Sequence, residues 1–244
     1  MRNVLKVLVV AGAALAAVQA SATTNLVTNG DFESGYSYST EFNTWYNPDN
    51  GPTGWTSQTY SAFNLYFSAA TATTVSAQTQ YGSDGQMLAT SFVASPTGGN
   101  FVALDGDPTN RGYLTQEISG LTVGKEYVVS FDWGASQLQN RTGATTEQLS
   151  VGFGNAVQTT ALVNNPSQGF SGWMHETMTF HATSTSQLLS FLSLGTPVGL
   201  PPIAVLDGVS VAAVPEPAMW CLMLVGFGLV GTAVRRRRPG TVLA

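Results

Sequence analysis

Hydrophobic and polar residues alternate with a period of two along much of the chain between residues 23 and 213. The clearest run is KEYVVSFDW, where Tyr127, Val129, Phe131 and Trp133 fall on one face. Successive side chains of a strand point to opposite faces, so this run predicts a half-buried β-strand. Further strands are predicted in NFVALDG, YLTQEI, EQLSVGFG, HETMTFHA, QLLSFLSL and IAVLDGVSV.

The segments between these runs are rich in Gly, Asn, Asp and Pro, and helix signals are nearly absent. Many short strands separated by turn residues are typical of an all-β sandwich or barrel. The opening TNLVTNGDFESG predicts a short strand and a turn at Asn29-Gly30. The region from Gly35 to Gly85 holds eleven aromatic residues among polar ones. There we expect long loops, one or two strands and a short helix.

The first 22 residues read as a cleavable signal peptide. Arg2 and Lys6 supply the positive start, and the apolar stretch from Val4 to Val18 follows. Residues 20–22 are Ala-Ser-Ala, which fits the small-residue cleavage site of such peptides. The mature protein is therefore expected to begin near Thr23.

The other end of the chain, residues 214–239, also does not look globular. Residues 218–234 carry no charge, and four arginines follow directly. Seventeen residues at about 1.5 Å each are just long enough to cross a bilayer core. Arginines stay on the cytoplasmic side, so the pattern predicts a single C-terminal transmembrane helix with the preceding domain outside.

Charge and cysteine content narrow the function of the domain at residues 23–213. It carries three basic residues against thirteen acidic ones, a net charge of −10. Such an acidic domain argues against nucleic-acid binding and suits an exterior protein or one that collects divalent cations. Its sequence contains no cysteine, because Cys221 lies in the apolar tail. Disulfides, zinc-thiolate sites and cysteine nucleophiles are thereby excluded.

The tail resembles the PEP-CTERM sorting signal of Gram-negative bacteria, in the variant written Pro-Glu-Pro-x-x-Trp-Ala. Cys221 stands where that variant usually has alanine. The resemblance implies processing by exosortase, a membrane transpeptidase, in bacteria that make exopolysaccharide. It also implies export through the inner membrane, transient anchoring by the helix, and then a place in the cell envelope, on the outer surface or outside the cell. The matching residues are Pro215, Glu216, Pro217, Trp220, Arg235, Arg236, Arg237 and Arg238.

The domain resembles galactose-binding-like jelly rolls, including bacterial carbohydrate-binding modules and related cell-wall domains of unknown function. The ordered pieces are NLVTNGDFESG, a Gly-Trp, FVALDGD, LTQEISGLTVGKEYVVSFDWGA and VLDGVSV. This resemblance implies an antiparallel β-sandwich in which the first and last strands are adjacent.

In many such modules a calcium ion sits where the first and last strands meet. The resemblance assigns it to Asp31, Glu33 and Asp207, and oxygen ligands suit calcium. The chain has Leu206-Asp207 where an Asp-Asp pair is common, which removes one ligand. The alternative is that these acids are solvated turn residues or end a strand. A second oxygen-rich loop, LDGDPTN, is expected to form a turn.

Sugar binding in this fold uses aromatic platforms beside polar groups. Trp45 and Tyr46, in the polar loop FNTWYNPDNG, are the candidates for an exposed sugar-binding pair. Trp133 shares a face with apolar residues and is expected in the core. Trp55 and Trp173 each follow a glycine, and both are expected to pack.

The sequence predicts that the protein is not an enzyme. His175 and His181 fall on the strand face opposite the apolar residues and should face solvent. No Gly-x-Ser-x-Gly elbow or glycine-rich phosphate loop is present. Three hypotheses remain: a domain that binds exopolysaccharide or another glycan without catalysis, a structural biofilm or envelope protein without a specific ligand, and a glycan hydrolase acting through a carboxylate pair.

Overall fold

The computed structural model describes residues 24–35, 40–41, 50–57, 63–77 and 87–215, together with Gly228. Thr23–Val214 forms one compact unit. Its described part contains strands but no helix. The strands are β1 (Thr40–Glu41), β2 (Thr56–Ser57), β3 (Asn64–Ser68), β4 (Asn100–Asp105), β5 (Leu114–Ser119), β6 (Glu126–Gln137), β7 (Thr145–Phe153), β8 (Ala156–Thr159), β9 (Val163–Asn165), β10 (Met174–His181), β11 (Ser186–Thr196) and β12 (Pro202–Ala213).

These strands form two sheets in which every pair is antiparallel. The first sheet has the order β1-β3-β4-β12-β6-β10, and the second has the order β2-β5-β11-β7-β8 with β9 also paired to β7. The all-β sandwich and all seven strands predicted from alternating or apolar runs are confirmed. The region between Gly35 and Gly85 contributes three short strands rather than one or two, and its described residues contain no helix.

The main core lies between the two sheets and follows the predicted faces. Tyr127, Val129, Phe131 and Trp133 of β6 are all buried there. Across the core the Phe131 and Phe191 rings meet edge to face with centroids 5.2 Å apart. Trp133 is 1 % exposed, so its predicted core position is confirmed.

A second apolar cluster covers the outer face of the first sheet. Alternate residues of β3, β4 and β12 point into it, among them Phe67, Phe101 and Val205. Leu88 and Phe92, from the long connection after β3, pack over them. Burial on both faces explains why these three strands read as almost continuous apolar runs. Over this area the sheet face is covered, so it is not open as a platform for a ligand.

The opening segment lies along the last strand, as the jelly-roll resemblance implies. Leu26 N–H donates to Val211 O over 2.8 Å, and Val209 N–H donates to Gly30 O over 2.8 Å. The Asn25 side chain accepts from Val211 N–H over 3.0 Å. The predicted turn forms, since Phe32 N–H donates to Asn29 O over 3.2 Å. The prediction of a short strand before this turn is wrong, because side-chain bonds replace much of the ladder.

The long strands β6 and β12 give the sandwich two distinct ends. At one end β12 begins, where Pro202 pairs with Gln137 at the end of β6. At the other end Ala213 pairs with Tyr127, and Val214 N–H donates to Glu126 O over 2.9 Å. At about 3.3 Å per residue the twelve residues of β12 separate these ends by roughly 36 Å. The chain therefore leaves the domain about 36 Å from the loops that precede β12.

The described residues contain no helix long and apolar enough to cross a membrane. The predicted signal peptide, residues 1–22, lies outside the described residues, as does the predicted transmembrane segment 218–234 except for Gly228.

Candidate functional site

A polar cavity opens at the end of the sandwich where β4 and β6 stop and β12 begins. We call it the loop-end cleft; its volume is about 290 Å³. Three connections converge on it: β4–β5, β6–β7 and β11–β12. The lining residues are Phe63, Asp105, Asp107, Asn110, Leu138, Arg141, Gly199 and Pro201.

The loop after β4 is held in shape by its own two aspartates. Asp107 N–H donates to Asp105 Oδ1 over 2.7 Å, which turns the chain at the end of the strand. Asp107 Oδ1 accepts from Thr109 N–H over 2.9 Å and from the Thr109 hydroxyl over 2.7 Å. Asn110 N–H donates to Asp107 O over 2.9 Å. The turn predicted for LDGDPTN is therefore confirmed.

The same loop is tied to the connection between β11 and β12. Asp107 Oδ2 accepts from Gly199 N–H over 2.5 Å, and Gly195 N–H donates to Gly106 O over 3.1 Å. Burial alone would raise the pKa of Asp107, but the hydrogen bonds from Thr109 and Gly199 outweigh it and lower that pKa. The ionised Asp107 carboxylate therefore connects the β4–β5 loop to the β11–β12 connection, on two sides of the cleft.

Asp105 differs from Asp107 in its protonation. Burial raises the pKa of the Asp105 carboxyl to about 7, and the charge of Asp107 raises it further. The Asp107 N–H and the positive charge of Arg141 act in the opposite direction. Near neutral pH the cleft therefore holds one carboxylate, one carboxyl group close to its midpoint, and one guanidinium.

A third acid, Glu147, lies behind the loop. It is fully buried, and its Oε1 accepts from the Ser193 hydroxyl over 2.9 Å. Its Oε2 has no hydrogen-bond partner, and a Cβ added at Gly106 would lie 2.9 Å from that oxygen. Burial raises the pKa of Glu147 to about 8. At pH 7 it is a neutral acid in contact with the loop backbone, not part of the cleft lining.

Arg141, Phe63 and Glu147 were not identified from the sequence. Arg141 lies more than thirty residues from the aspartates it faces, so no local motif links them. The one available signal is that Arg141 is one of only three basic residues in the domain. Glu147 falls on the same face of β7 as the apolar residues Leu149 and Val151, which gives a weak indication that it points inward.

The predicted sugar-binding pair, Trp45 and Tyr46, lies outside the described residues. The predicted packing of the other two tryptophans is confirmed. Trp55 is 4 % exposed, and its ring packs on Phe32 with centroids 5.2 Å apart. Trp173 donates through Nε1 to Val93 O over 2.8 Å and meets Phe101 edge to face.

The three predicted calcium ligands lie in one region, around the hydroxyl of Tyr66. Burial raises the pKa of Tyr66 to about 12; the Asn100 side chain lowers it, and the charges of Glu33, Asp31 and Asp207 raise it.

Two of these three acids already accept hydrogen bonds from groups of the protein. Glu33 Oε1 accepts from Asn100 N–H over 2.7 Å, and Asp207 accepts from the Thr97 hydroxyl and from Gly208 N–H. Burial raises the pKa of Asp207 to about 6. Within the described ranges, no group of three or more His, Cys, Asp or Glu residues could hold a metal ion. Calcium binding through Asp31, Glu33 and Asp207 remains a prediction.

Both histidines face solvent as predicted, with side chains 62 % and 68 % exposed. His175 Nδ1 lies 2.9 Å from Asp132 Oδ1, and His181 Nε2 lies 3.3 Å from Glu126 Oε1. These pairs sit on β10 and β6, away from the loop-end cleft.

Fold and cleft together define an antiparallel β-sandwich with a cleft built from loops at one end. The chain belongs to the family described as "Protein of unknown function (DUF642)", whose family model matches residues 25–203. A model for the PEP-CTERM protein-sorting motif matches residues 213–238, which confirms the sorting signal recognised in the tail. No curated protein matches the sequence.

Solved structures of similar architecture include carbohydrate-binding modules. TmCBM61, in complex with β-1,4-galactotriose, is 12 % identical over 79 % of this chain and 100 % of its own, with a TM-score of 0.42. The CBM22-1 xylan-binding domain of Paenibacillus barcinonensis Xyn10C is 12 % identical over 81 % of this chain and 99 % of its own, with a TM-score of 0.40. Arabinose-bound MgGH51 α-L-arabinofuranosidase is 14 % identical over 78 % of this chain and 26 % of its own, with a TM-score of 0.41.

Proposed function

We propose that the exported domain binds a neutral, hydroxyl-rich glycan in the loop-end cleft without catalysis, and that exopolysaccharide is the natural source of this glycan. The observation that carries the proposal is that the partly exposed side chains of Asn110 and Arg141 line one cavity beside the buried carboxyl groups of Asp105 and Asp107. The amide of Asn110 offers an acceptor and donors to sugar hydroxyls, and the guanidinium of Arg141 offers further donors. Opposite charges within the lining favour a ligand that is itself uncharged.

The acids of this region are poorly placed for hydrolysis. A glycosidase needs one carboxyl group as acid and another that reaches the substrate or its water. Asp107 is committed to Thr109 and Gly199, and Glu147 is fully buried. Asp105 is only 3 % exposed. This arrangement supports binding rather than bond cleavage.

The structural-protein alternative requires packed aromatics and no cleft. The described tryptophans do pack, and Tyr113 is the one aromatic side chain among the large exposed hydrophobic residues of the described ranges, at 45 %. The loop-end cleft itself favours a ligand-binding role over a purely structural one. Its position also suits such a role, because the chain leaves the domain at the opposite end of β12. If the protein were attached to the envelope through residues that follow β12, the cleft would lie at the end of the domain farther from the attachment point.

The cleft can be tested by removing its guanidinium. We expect Arg141→Ala to weaken binding of the oligosaccharide that the domain prefers by about tenfold or more, since hydrogen bonds from charged donors are the stronger ones. Isothermal titration of Thr23–Val214, which contains both cores, would use xylohexaose, cellohexaose and β-1,4-galactotriose. Alginate, a polyanion, should bind no more tightly than background.

Arg111→Ala is the matched control, because it removes the same charge nearby from a residue that does not line the cleft. Equal losses in both variants would indicate a general charge effect and would contradict the proposed site. Failure of all three neutral oligosaccharides to bind would move the assignment to a structural envelope protein.

For the sorting signal we propose exosortase processing close to Pro215-Glu216-Pro217, followed by retention in the envelope or release. Intact-mass analysis of the mature protein from an exosortase-containing bacterium should show a C-terminus at or near these residues. A mature chain that still ends at Ala244 would contradict this processing.

A further inference from the structure

The last strand leads into the sorting motif without a linker. The match to that motif begins at residue 213, which is the last residue of β12. Ala213 pairs with Tyr127, and Val214 N–H still donates to Glu126 O over 2.9 Å. Pro215 follows directly and has no N–H that could continue the ladder. The first residue beyond the sheet is therefore already part of the Pro-Glu-Pro motif.

The end of β12 is held on both of its edges. On one edge β6 pairs with residues 211–213. On the other edge Leu26 N–H donates to Val211 O over 2.8 Å, and the Asn25 side chain accepts from Val211 N–H over 3.0 Å. The Val211 side chain is fully buried in the main core. Separating this strand end from the sheet would break these bonds and expose that side chain, so an enzyme meets the motif with the domain folded up to Val214.

The motif lies too close to the folded domain for an enzyme to reach it without touching the domain. From Val214 to Pro217 is a distance of three residues, which can span at most about 11 Å. An enzyme of only about 100 residues already has a radius of gyration of about 13 Å. An enzyme whose active site acts on bonds near the motif therefore contacts the end of the sandwich from which the chain leaves.

Two turns beside the start of β6 form this end of the sandwich. Backbone hydrogen bonds join the two turns, from Gly124 N–H to Ala182 O over 2.7 Å and from Leu121 N–H to Thr185 O over 3.1 Å. Together they are called the exit end, which consists of residues 120–125 between β5 and β6 and residues 182–185 between β10 and β11. Because the turns are bonded to each other, the exit end presents one fixed surface.

Val123 projects from the tip of the exit end. Lys125 N–H donates to Thr122 O over 3.1 Å, and Gly124 has a φ of +81°. This is the pattern of a type II turn with Val123 at its second position. The Tyr127 hydroxyl accepts from Thr122 N–H over 2.8 Å and so ties the turn to the core. Val123 is 59 % exposed, and Lys125 is the one charged residue of the exit end.

We propose that the membrane transpeptidase that processes the tail docks on the exit end, with Val123 in the contact. This inference rests on the processing proposed above and not on glycan binding. The enzyme would then recognise the folded end of the sandwich as well as the motif. A motif attached through a longer linker would be processed independently of the exit end. The loop-end cleft lies at the opposite end of β12 and would stay uncovered.

The test follows removal of the tail from the full chain in an exosortase-containing bacterium, by pulse labelling and intact-mass analysis. Val123→Glu should slow this removal by about tenfold or more, because the contact would bury an unpaired charge. Val198→Glu is the matched control and should be processed like wild type. Val198 is 63 % exposed but lies at the other end of the sandwich, between β11 and β12. Urea unfolding of both variants as Thr23–Val214 should give wild-type stability, because both side chains are exposed.

Two further changes separate docking of the enzyme from other causes. A Gly-Ser linker of about twelve residues between Val214 and Pro215 spans roughly 20 Å on average. This linker should restore wild-type processing to Val123→Glu, because the enzyme then reaches the motif without touching the exit end. Without the linker, Val123→Trp should also slow processing, because an indole is too large for a protein surface fitted to valine. A bilayer interface would instead favour the indole.

The outcomes distinguish the docking inference from the processing on which it rests. If wild type keeps its tail, both fail. If wild type and Val123→Glu are processed at the same rate, docking on the exit end is overturned while processing stands. A slow Val123→Glu that the linker does not rescue, or a Val123→Trp that is processed as fast as wild type, would also overturn docking, the latter in favour of a lipid contact. Slow processing of both variants, with rescue of Val123→Glu by the linker, supports it.

Discussion

Gly30→Ala is expected to lower the free energy of unfolding of the domain by about 3 kcal/mol or more. A Cβ at this position would lie 1.9 Å from Val209 O and 3.1 Å from Val27 Cγ1. The nearest atom is backbone of the central strand β12, which cannot rotate aside. The opening segment would have to move away from β12, breaking the bond from Val209 N–H to Gly30 O and uncovering the core at Phe32. Urea unfolding of Thr23–Val214 measures this loss.

Gly120→Ala is the control for this substitution. Gly120 has a φ of +81° but no atom within 4 Å of an added Cβ, so alanine there carries only the backbone strain of about 1 to 2 kcal/mol. Gly30 has no such φ, so its effect comes from the collision alone. A loss in Gly30→Ala no larger than that in Gly120→Ala would show that the close approach to β12 does not hold the fold together.

The second large expected effect is a fall in the free energy of unfolding as the pH rises. The pKa values of Asp207, Asp105 and Glu147 are raised by burial to about 6, 7 and 8. The folded protein therefore retains protons that the unfolded chain has lost. The stability that these three acids contribute is fully present below their pKa values in the unfolded chain, which are about 4. It is lost as the pH rises through their higher pKa values in the folded protein. Stability should fall from pH 5 to pH 9, by up to about 1.4 kcal/mol per pH unit for each group that is still protonated only in the folded state.

Glu147→Gln isolates the largest of these contributions. The amide keeps the shape of the protonated acid but cannot ionise, so the variant should be less sensitive to pH between about 5 and 8. It should be close to wild type in stability at pH 5 and more stable than wild type at pH 9. Thermal melts across this range would measure the slopes, with exposed Glu117→Gln on β5 as the control. If the melting temperatures of wild type and Glu147→Gln fell in parallel with rising pH, this would contradict the buried, protonated state of Glu147.

Strand positions were predictable because alternation and apolar runs are local properties of the sequence. The faces of β6 and of β10 follow directly from a period of two. The opening segment was less predictable, because bonds from the Asn25 and Asn29 side chains replace regular ladder bonds. Side-chain bonds of this kind depend on the tertiary position of the last strand.

The loop-end cleft was only partly predictable. Asp105, Asp107 and Asn110 stand close together in the sequence, and their turn was recognised. Arg141 and Gly199 come from connections 30 to 90 residues away, so only the packing of the two sheets brings them to the same cavity.

The most direct test of the central claim is a nuclear magnetic resonance titration of isotope-labelled Thr23–Val214 with xylohexaose, cellohexaose and β-1,4-galactotriose. Binding in the loop-end cleft predicts saturable amide shifts confined mainly to residues 105–111, 139–146 and 195–201. No saturable shift with any of the three sugars, or shifts that cluster around residues 24–35 and leave these three loops unchanged, would contradict it.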